Sequence, residues 1–278
     1  MLIETERMVS ITHEVTSHFG LDKTRFWELP RWVTFLARSL LLPGSTPMNT
    51  STASLRSMLG LEFEPVAISF NDEAAETSFD APMSDPTEDG RSGRVPASCV
   101  FWMYGHQETF TTAPGDHGNC SVGEYTHGLV EAGDILERHD IGTLLDTGWV
   151  TMEAFGGVAA LNRRPQSITY GPLSEATDTP DVVLLRLTPK QMMQLGDAVS
   201  VEFSGKPQCQ ILARAANDGV IAASMGCALS RARTGMGDDE LTCAVPGNRV
   251  SEVIEGLNSV CTADVAVVGY AVADKARF

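Results

Sequence analysis

The sequence predicts an α+β or mixed α/β fold, as a single compact domain preceded by an N-terminal helical arm. Asp181–Leu187 is an apolar, β-branched run typical of a buried strand. The chain then places Thr188 at an N-cap, Pro189 at the first helical position and Gln191 where a capping box requires it. A helix over 191–199 therefore follows this strand directly, an order typical of mixed folds.

Short segments of both types continue this alternation along the chain. Gly219–Ala223 is apolar and lacks a charged face, which predicts a buried strand, whereas Thr52–Leu59 and Val250–Leu257 are amphipathic and predict helices. Other predicted elements are the strands Pro65–Phe70, Ile168–Pro172 and Asp264–Val272, the buried apolar segment Val100–Met103 and a helix that begins near Cys120. Residues 71–93 are rich in acidic residues, Ser, Pro and Gly and predict a solvated loop.

The first 47 residues differ in charge from the rest of the chain. They contain five basic and five acidic residues, so the whole net charge of −16 lies in 48–278. Trp27, Trp32 and Phe35 suit an amphipathic helix that Pro30 interrupts. Residues 1–47 are thus an accessory helical arm, or else a mis-assigned leader before a true start at Met48, and 48–278 form the main domain.

Charge and composition exclude several classes of partner. A net charge of −16 opposes binding to nucleic acid and to anionic membranes. The longest apolar runs are far shorter than a membrane span. Six cysteines in 278 residues do not make a disulfide scaffold, and no secretory signal is evident, so we expect a reducing cytoplasm.

The segment Ser224–Cys227 is the strongest candidate for a functional site. It follows the predicted strand Gly219–Ala223, and its small residues permit a sharp turn. If a helix begins at Ala228, Cys227 lies where free backbone N–H groups favour a thiolate. Cys227 is then a metal ligand or a nucleophile; the alternative is a small buried hydrophobic residue.

A second candidate segment contains Cys99, Cys120 and a polar loop. The two cysteines are 21 positions apart (120 − 99), which is not a zinc-finger or ferredoxin spacing. In the loop, His117 could activate Cys120 and Asp116 could orient the imidazole. Alternatively, the loop residues only cap and hydrogen-bond the backbone.

The order of these segments resembles the uncharacterised ArCR-type family, a domain of unknown function. The resemblance covers the chain from Met48 to the C-terminus, and the similar size of the family favours a start at Met48. It rests on these segments: Glu64–Ile68, Cys99, Cys120 with Gly123, Pro180–Leu184, Ser224–Cys227, Arg231, Glu240–Leu241 and Pro246.

The resemblance implies that Cys99, Cys120 and Cys227 act together, with Cys209 at a position where cysteine is common. Cys243 and Cys261 match no family pattern and are expected to be packing residues. Three separated cysteines that a fold brings together suit a soft metal. An iron-sulfur cluster with one iron open or held by another residue is the favoured cofactor, and zinc is a variant.

Three classes of function remain open. In the first, Cys99, Cys120 and Cys227 hold a cluster, with His117 or Cys209 as the fourth ligand. Arg231 offsets the negative charge of this cluster. The partner is an unknown small molecule or redox protein. In the second, Cys227 or Cys120 is a metal-free nucleophile with His117 as its base. In the third, the chain is a small-molecule or partner-binding module whose cysteines merely pack. The first class requires that the cysteine sulfurs converge.

Overall fold

The computed structural model describes residues 47–79 and 97–260, with side chains from residue 52 onward. The chain divides into two units, Met1–Pro47 and Met48–Phe278. The predicted N-terminal arm, the predicted strand Asp264–Val272 and Cys261 lie outside the described residues. Within the described ranges, none of the helices is long and apolar enough to span a bilayer.

The described residues form a mixed α/β structure around a seven-stranded sheet, which confirms the predicted fold class. The strands are β1 (Val66–Asn71), β2 (Phe110–Thr112), β3 (Ser167–Pro172), β4 (Val182–Leu187), β5 (Glu202–Phe203), β6 (Ala222–Ser224) and β7 (Leu241–Pro246). Their order in the sheet is β2-β3-β1-β4-β7-β6-β5. All neighbouring pairs are antiparallel except β5 and β6, which are parallel.

Ten helices accompany the sheet in the described part of the chain. They are α1 (Pro47–Leu59), α2 (Ser98–Tyr104), α3 (Ser121–Thr126), α4 (Ala132–Ile135), α5 (His139–Asp146), α6 (Met152–Gly156), α7 (Pro189–Ala198), α8 (Gln210–Asp218), α9 (Ala228–Thr234) and α10 (250–260). The capping box before α7 forms as predicted, because the Thr188 hydroxyl accepts from the Gln191 N–H and the Gln191 side chain accepts from the Thr188 N–H. The segment Val100–Met103 is helical and belongs to α2.

Helices cover the sheet on both sides, since successive strand residues point to opposite faces. Val182 and Leu184 pack on one side with residues of α2, α3 and α8, a side that also includes Cys209. We call this side the cysteine face. Val183 and Leu185 pack on the other side, the apolar face, with residues of α1, α7 and α10. The sheet therefore separates two hydrophobic cores.

Candidate functional site

Four cysteines from distant parts of the sequence line one cavity on the cysteine face: Cys99, Cys120, Cys209 and Cys227. Cys99 is in the first turn of α2, and each of the other three is the N-cap residue of a helix, α3, α8 and α9 respectively. The fold thus brings together the three cysteines that the sequence predicted and the fourth candidate. Spacing along the chain did not reveal this convergence.

The turn before Cys227 matches the expectation for the segment Ser224–Cys227. Strand β6 ends at Ser224, and Gly226 has φ of +89°, a conformation that favours glycine. A Cβ there would lie 3.1 Å from Met236 Cε and 3.3 Å from Gln208 Oε1. Helix α9 then begins at Ala228, with Cys227 as its N-cap. The turn therefore directs the backbone so that Cys227 lies at the cavity.

Each thiol has a hydrogen-bond donor nearby. The Ser230 N–H donates to Cys227 Sγ at 3.3 Å. The Ser230 hydroxyl bonds Cys99, and the Gly123 N–H bonds Cys120. The Thr126 hydroxyl donates to the Gly123 carbonyl oxygen at 3.1 Å and lies near Cys209. Ser230 and Thr126 are buried, so these groups are fixed by the packing of α9 and α3. Donors in these positions stabilise negative charge on sulfur.

Burial nevertheless keeps the four thiols protonated. It raises the pKa of Cys99 from 9.0 to about 12, and nearby Cys120 and Cys227 add to that rise. Burial also raises the pKa of Cys120, of Cys227 and, most strongly, of Cys209. The hydrogen-bond donors oppose this effect but do not reverse it. The four thiols are consequently protonated at neutral pH.

Arg233 is the cation of the cavity. It lines the wall, and its charge acts to lower the pKa of Cys99, Cys120 and Cys227 against the dominant effect of burial. Arg231, the predicted site residue, instead donates from Nη2 to the Met225 carbonyl oxygen at 2.8 Å and to the Glu240 carbonyl oxygen at 3.0 Å. Its charge lowers the pKa of Cys227 as a smaller influence, and its hydrogen bonds mainly hold the loop that follows α9.

His117 lies behind the cavity wall and does not face Cys120. Its Nδ1 is 2.8 Å from Ser98 Oγ and its Nε2 is 2.9 Å from Thr112 Oγ1. Both ring nitrogens are therefore occupied, and Asp116 bonds the Ala113 N–H instead. Burial, with nearby His127, lowers the pKa of His117 well below 6.5. The structure does not form the predicted arrangement of Asp116, His117 and Cys120, because hydroxyls from α2 and β2 bind the imidazole.

Gln208 is a cavity residue that no sequence pattern indicated. It is 1% exposed and lines the cavity between Pro207 and Cys209. Among the described residues, neither Gln208 Oε1 nor Nε2 has a hydrogen-bond partner, and neither has Arg233 Nη1. A buried polar atom without a partner costs roughly 1–3 kcal/mol. Gln208 and Arg233 therefore bring three buried polar atoms, unpartnered among the described residues, to the residues that line the cavity.

The cavity itself is small, because about 30 Å³ is open to the centre of a water-sized sphere, enough for one or two water molecules. Trp149 and Leu229 belong to its wall. In residues 47–79 and 97–260, no group of three or more His, Cys, Asp or Glu side chains is gathered closely enough to hold a metal ion. The thiols thus converge on one space without forming a preassembled site for a single ion.

Cys243 contrasts with these four cysteines. It lies on β7 in the core of the apolar face and is fully buried. Its packing agrees with the role that the sequence predicted for it.

Comparison with known proteins gave one match. The model of a family described as uncharacterised ArCR, a domain of unknown function, matches residues 54–256. Neither the curated proteins nor the solved structures gave a match. The matched range includes all four cavity cysteines as well as Gln208 and Arg233.

Proposed function

We propose that this chain, which belongs to the uncharacterised ArCR family, holds an iron-sulfur cluster through Cys99, Cys120 and Cys227, with Cys209 as the fourth ligand. The observation that carries the proposal is that these four thiols, from four separate segments, line one cavity. Thiolates are the ligands that iron-sulfur clusters use. The five described cysteines are all free, which fits a reducing cytoplasm.

The surroundings of the thiols suit a negatively charged centre. Arg233 supplies a positive charge, the Ser230 N–H donates to Cys227 Sγ, and the Ser230 hydroxyl and Gly123 N–H lie at Cys99 and Cys120. Hydrogen bonds to ligating sulfurs and nearby charge are two of the means by which proteins set the potential of such a centre. An apolar packing site would not require them.

The separation of the thiols favours a cluster over a single zinc ion. Sulfide bridges the irons of a cluster, so its cysteine sulfurs stand farther apart than four sulfurs around one ion. The thiols here share a cavity without gathering at ion-binding distances. Zinc at the same thiolates is the second outcome that metal analysis would distinguish.

The site offers less support for a metal-free thiol enzyme. A nucleophilic cysteine needs a lowered pKa, whereas burial raises the pKa of all four thiols. The predicted base, His117, has both ring nitrogens occupied by Ser98 and Thr112.

A bound cluster would supply electron transfer or Lewis-acid chemistry on a small molecule. Ligation by Cys209 distinguishes these two chemistries. If Cys209 is the fourth ligand, no iron is open to act as a Lewis acid, and electron transfer is the chemistry that fits.

The test is iron and acid-labile sulfide content, with an absorption spectrum, on protein purified without oxygen. Variants Cys99→Ser, Cys120→Ser and Cys227→Ser should lose most of the iron and sulfide, since each removes a ligand. Cys209→Ser should keep a cluster of altered spectrum if one iron can be held otherwise. Cys243→Ser is the matched control, because it changes a buried thiol on the apolar face, and it should retain the full content per folded chain. Equal content in the cavity variants and the control would refute the proposed ligand set.

A further inference from the structure

We propose that Asp140 is a positioning residue of the cysteine site: its carboxylate holds the first turn of α3 and thereby fixes Cys120, the thiol that precedes this turn. The inference rests on the proposed cluster for the effect of Asp140 on a bound centre, whereas the contact between Asp140 and α3 involves protein groups alone. It assigns a role in the site to a residue of α5, a helix that carries none of the cysteines.

Helix α3 is too short to be stable without support from its neighbours. It has six residues, Ser121–Thr126, and isolated helices shorter than about 12 residues are marginal in water. Cys120 is its N-cap residue, and a thiol accepts hydrogen bonds more weakly than the hydroxyl and carboxylate groups that are preferred at this position. The N–H groups of the first turn therefore need an acceptor from elsewhere in the fold.

Asp140, the second residue of α5, supplies this acceptor. Its Oδ2 accepts from the Ser121 N–H at 2.9 Å, and its Oδ1 accepts from the Ser121 hydroxyl at 2.7 Å. Oδ1 also accepts from the Ile141 N–H at 3.0 Å, which orients the carboxylate on its own helix. Because Ser121 follows Cys120 directly, the two bonds to Ser121 fix the backbone that carries the Cys120 side chain.

An ion pair beside these bonds joins the same two helices. Arg138, the N-cap residue of α5, pairs with Glu124 of α3, and its Nη1 donates to Ser121 Oγ at 3.4 Å. Glu124 is buried, and hydrogen bonds between ionised groups are stronger than those between neutral groups. The first turns of α3 and α5 are therefore held together at the residue that follows Cys120.

The negative charge of Asp140 also acts on the Cys120 thiol. Burial is the largest influence and raises the pKa of Cys120; the charge of Asp140 adds to this rise, whereas the charge of Arg233 opposes it. A nearby negative charge disfavours the addition of an electron to a bound centre, and a positive charge favours it. Asp140 should consequently lower the midpoint potential of the proposed cluster, and Arg233 should raise it.

The first test is alkylation of the metal-free full chain with N-ethylmaleimide, with each cysteine followed by mass spectrometry. Asp140→Ala should increase the labelling rate of Cys120 at least about tenfold, since the first turn of α3 loses two hydrogen bonds to a charged acceptor. Labelling of Cys243, on the apolar face, should not change and shows that the fold is intact. Thr151→Ala is the matched control, because it removes the N-cap hydrogen bond of α6, a helix without a cysteine. Equal Cys120 labelling in the two variants would overturn the proposal.

Two further variants keep the test decisive if Asp140→Ala does not fold. Asp140→Asn retains the shape of the side chain and one acceptor oxygen, so it should increase Cys120 labelling less than Asp140→Ala but more than Thr151→Ala. Ser121→Ala removes the hydroxyl that donates to Asp140, and Asp140→Asn should have a smaller effect in this background than in the wild type. Fully additive effects would mean that Asp140 does not act through Ser121.

The midpoint potential of iron-loaded protein is a readout that a purely structural cap would not change. Asp140→Asn should raise the ratio of reduced to oxidised centre at a fixed potential at least about threefold, which corresponds to roughly 30 mV for one electron. Arg233→Met should lower this ratio, and Thr151→Ala should leave it unchanged. A lower or unchanged ratio in Asp140→Asn would reject the action of Asp140 on the centre.

Iron and sulfide content separate this inference from the cluster. Wild-type protein without iron rejects the cluster, and the labelling rates of the metal-free chain then decide the role of Asp140. Full iron and sulfide content in the wild type, with equal Cys120 labelling in Asp140→Ala and Thr151→Ala, rejects the role of Asp140 alone.

Discussion

The two faces of the sheet are both covered by helices, but they differ in the residues that are buried there. On the apolar face, Val183, Leu185 and Cys243 are buried against the three helices α1, α7 and α10. On the cysteine face, buried polar side chains such as Ser98, Thr126 and Gln208 lie among shorter helices around a cavity. Polar burial costs free energy unless partners are present. The proposed function places a ligand on the cysteine face, whereas the apolar face contributes only packing.

One substitution on each face should give the largest effects, on stability for the apolar face and on iron content for the cysteine face. Leu185→Ala should lower the free energy of unfolding by about 2–5 kcal/mol, because Leu185 is fully buried, and leave iron per folded chain unchanged. Cys227→Ala should abolish iron binding but change the stability of metal-free protein by about 1 kcal/mol or less, since Cys227 is only partly buried. Denaturant unfolding and iron analysis of both variants check this. If folded Leu185→Ala protein lost its iron, the proposed separation of a stabilising face from a metal-binding face would be wrong.

The stability of the protein at alkaline pH should depend on two thiols, Cys99 and Cys243, which have the same raised pKa. Burial raises the pKa of Cys99 and of Cys243 from 9.0 to about 12. The folded state therefore keeps protons that the unfolded state loses, and stability present below about pH 9 falls as the pH rises towards 12. In metal-free protein each thiol should contribute up to about 1.4 kcal/mol per pH unit. Denaturant unfolding at increasing pH measures the slope.

Bound iron should remove only one of these two contributions. A metal-ligated Cys99 has already lost its proton, whereas Cys243 keeps its own. In metal-free protein both Cys99→Ala and Cys243→Ala should thus reduce the slope. In iron-loaded protein only Cys243→Ala can be compared with wild type, and it should reduce the slope there as well. The affinity for iron, measured by competition with a chelator, should rise with pH because binding releases protons. An affinity that does not depend on pH would contradict thiol ligation.

Two glycines of the Cys227 region should differ by a smaller amount. Gly226 and Gly235 both have positive φ, +89° and +67°. A Cβ would meet nothing within 4 Å at Gly235, whereas at Gly226 it would meet Met236, Arg231 and Gln208. Gly235→Ala should cost about 1 kcal/mol through backbone strain. Gly226→Ala should cost more and also reduce iron content, as unfolding and metal analysis would show; equal costs and iron contents would mean that the turn does not position the site.

Sequence patterns predicted the fold class and the order of many elements, because capping residues and apolar periodicity act locally. The strand Asp181–Leu187 and its capped helix are present as β4 and α7. The apolar run Gly219–Ala223 correctly indicated a strand but placed it early, since β6 is Ala222–Ser224. Pairing with β7, from a distant segment, determines which of these residues belong to the sheet.

The site was harder to predict because its contacts are long-range. Arg231 and Arg233 are two positions apart on a helix and point in nearly opposite directions, so the sequence could not show which one reaches the cavity. His117 resembled a catalytic base only while Ser98 and Thr112, its actual partners, were unknown. The cysteine set came from the family resemblance, and Gln208 became visible only through its burial without a partner.

X-ray absorption at the iron and zinc edges, on protein purified without oxygen, tests the cluster most directly. The proposal predicts iron surrounded by sulfur, with a further iron-iron scattering path that only a cluster produces, and the loss of this signal in Cys99→Ser but not in Cys243→Ser. A zinc edge with sulfur ligands and no metal-metal path would replace the cluster by a single ion. A protein that contains neither metal while fully folded would contradict the proposed metal centre.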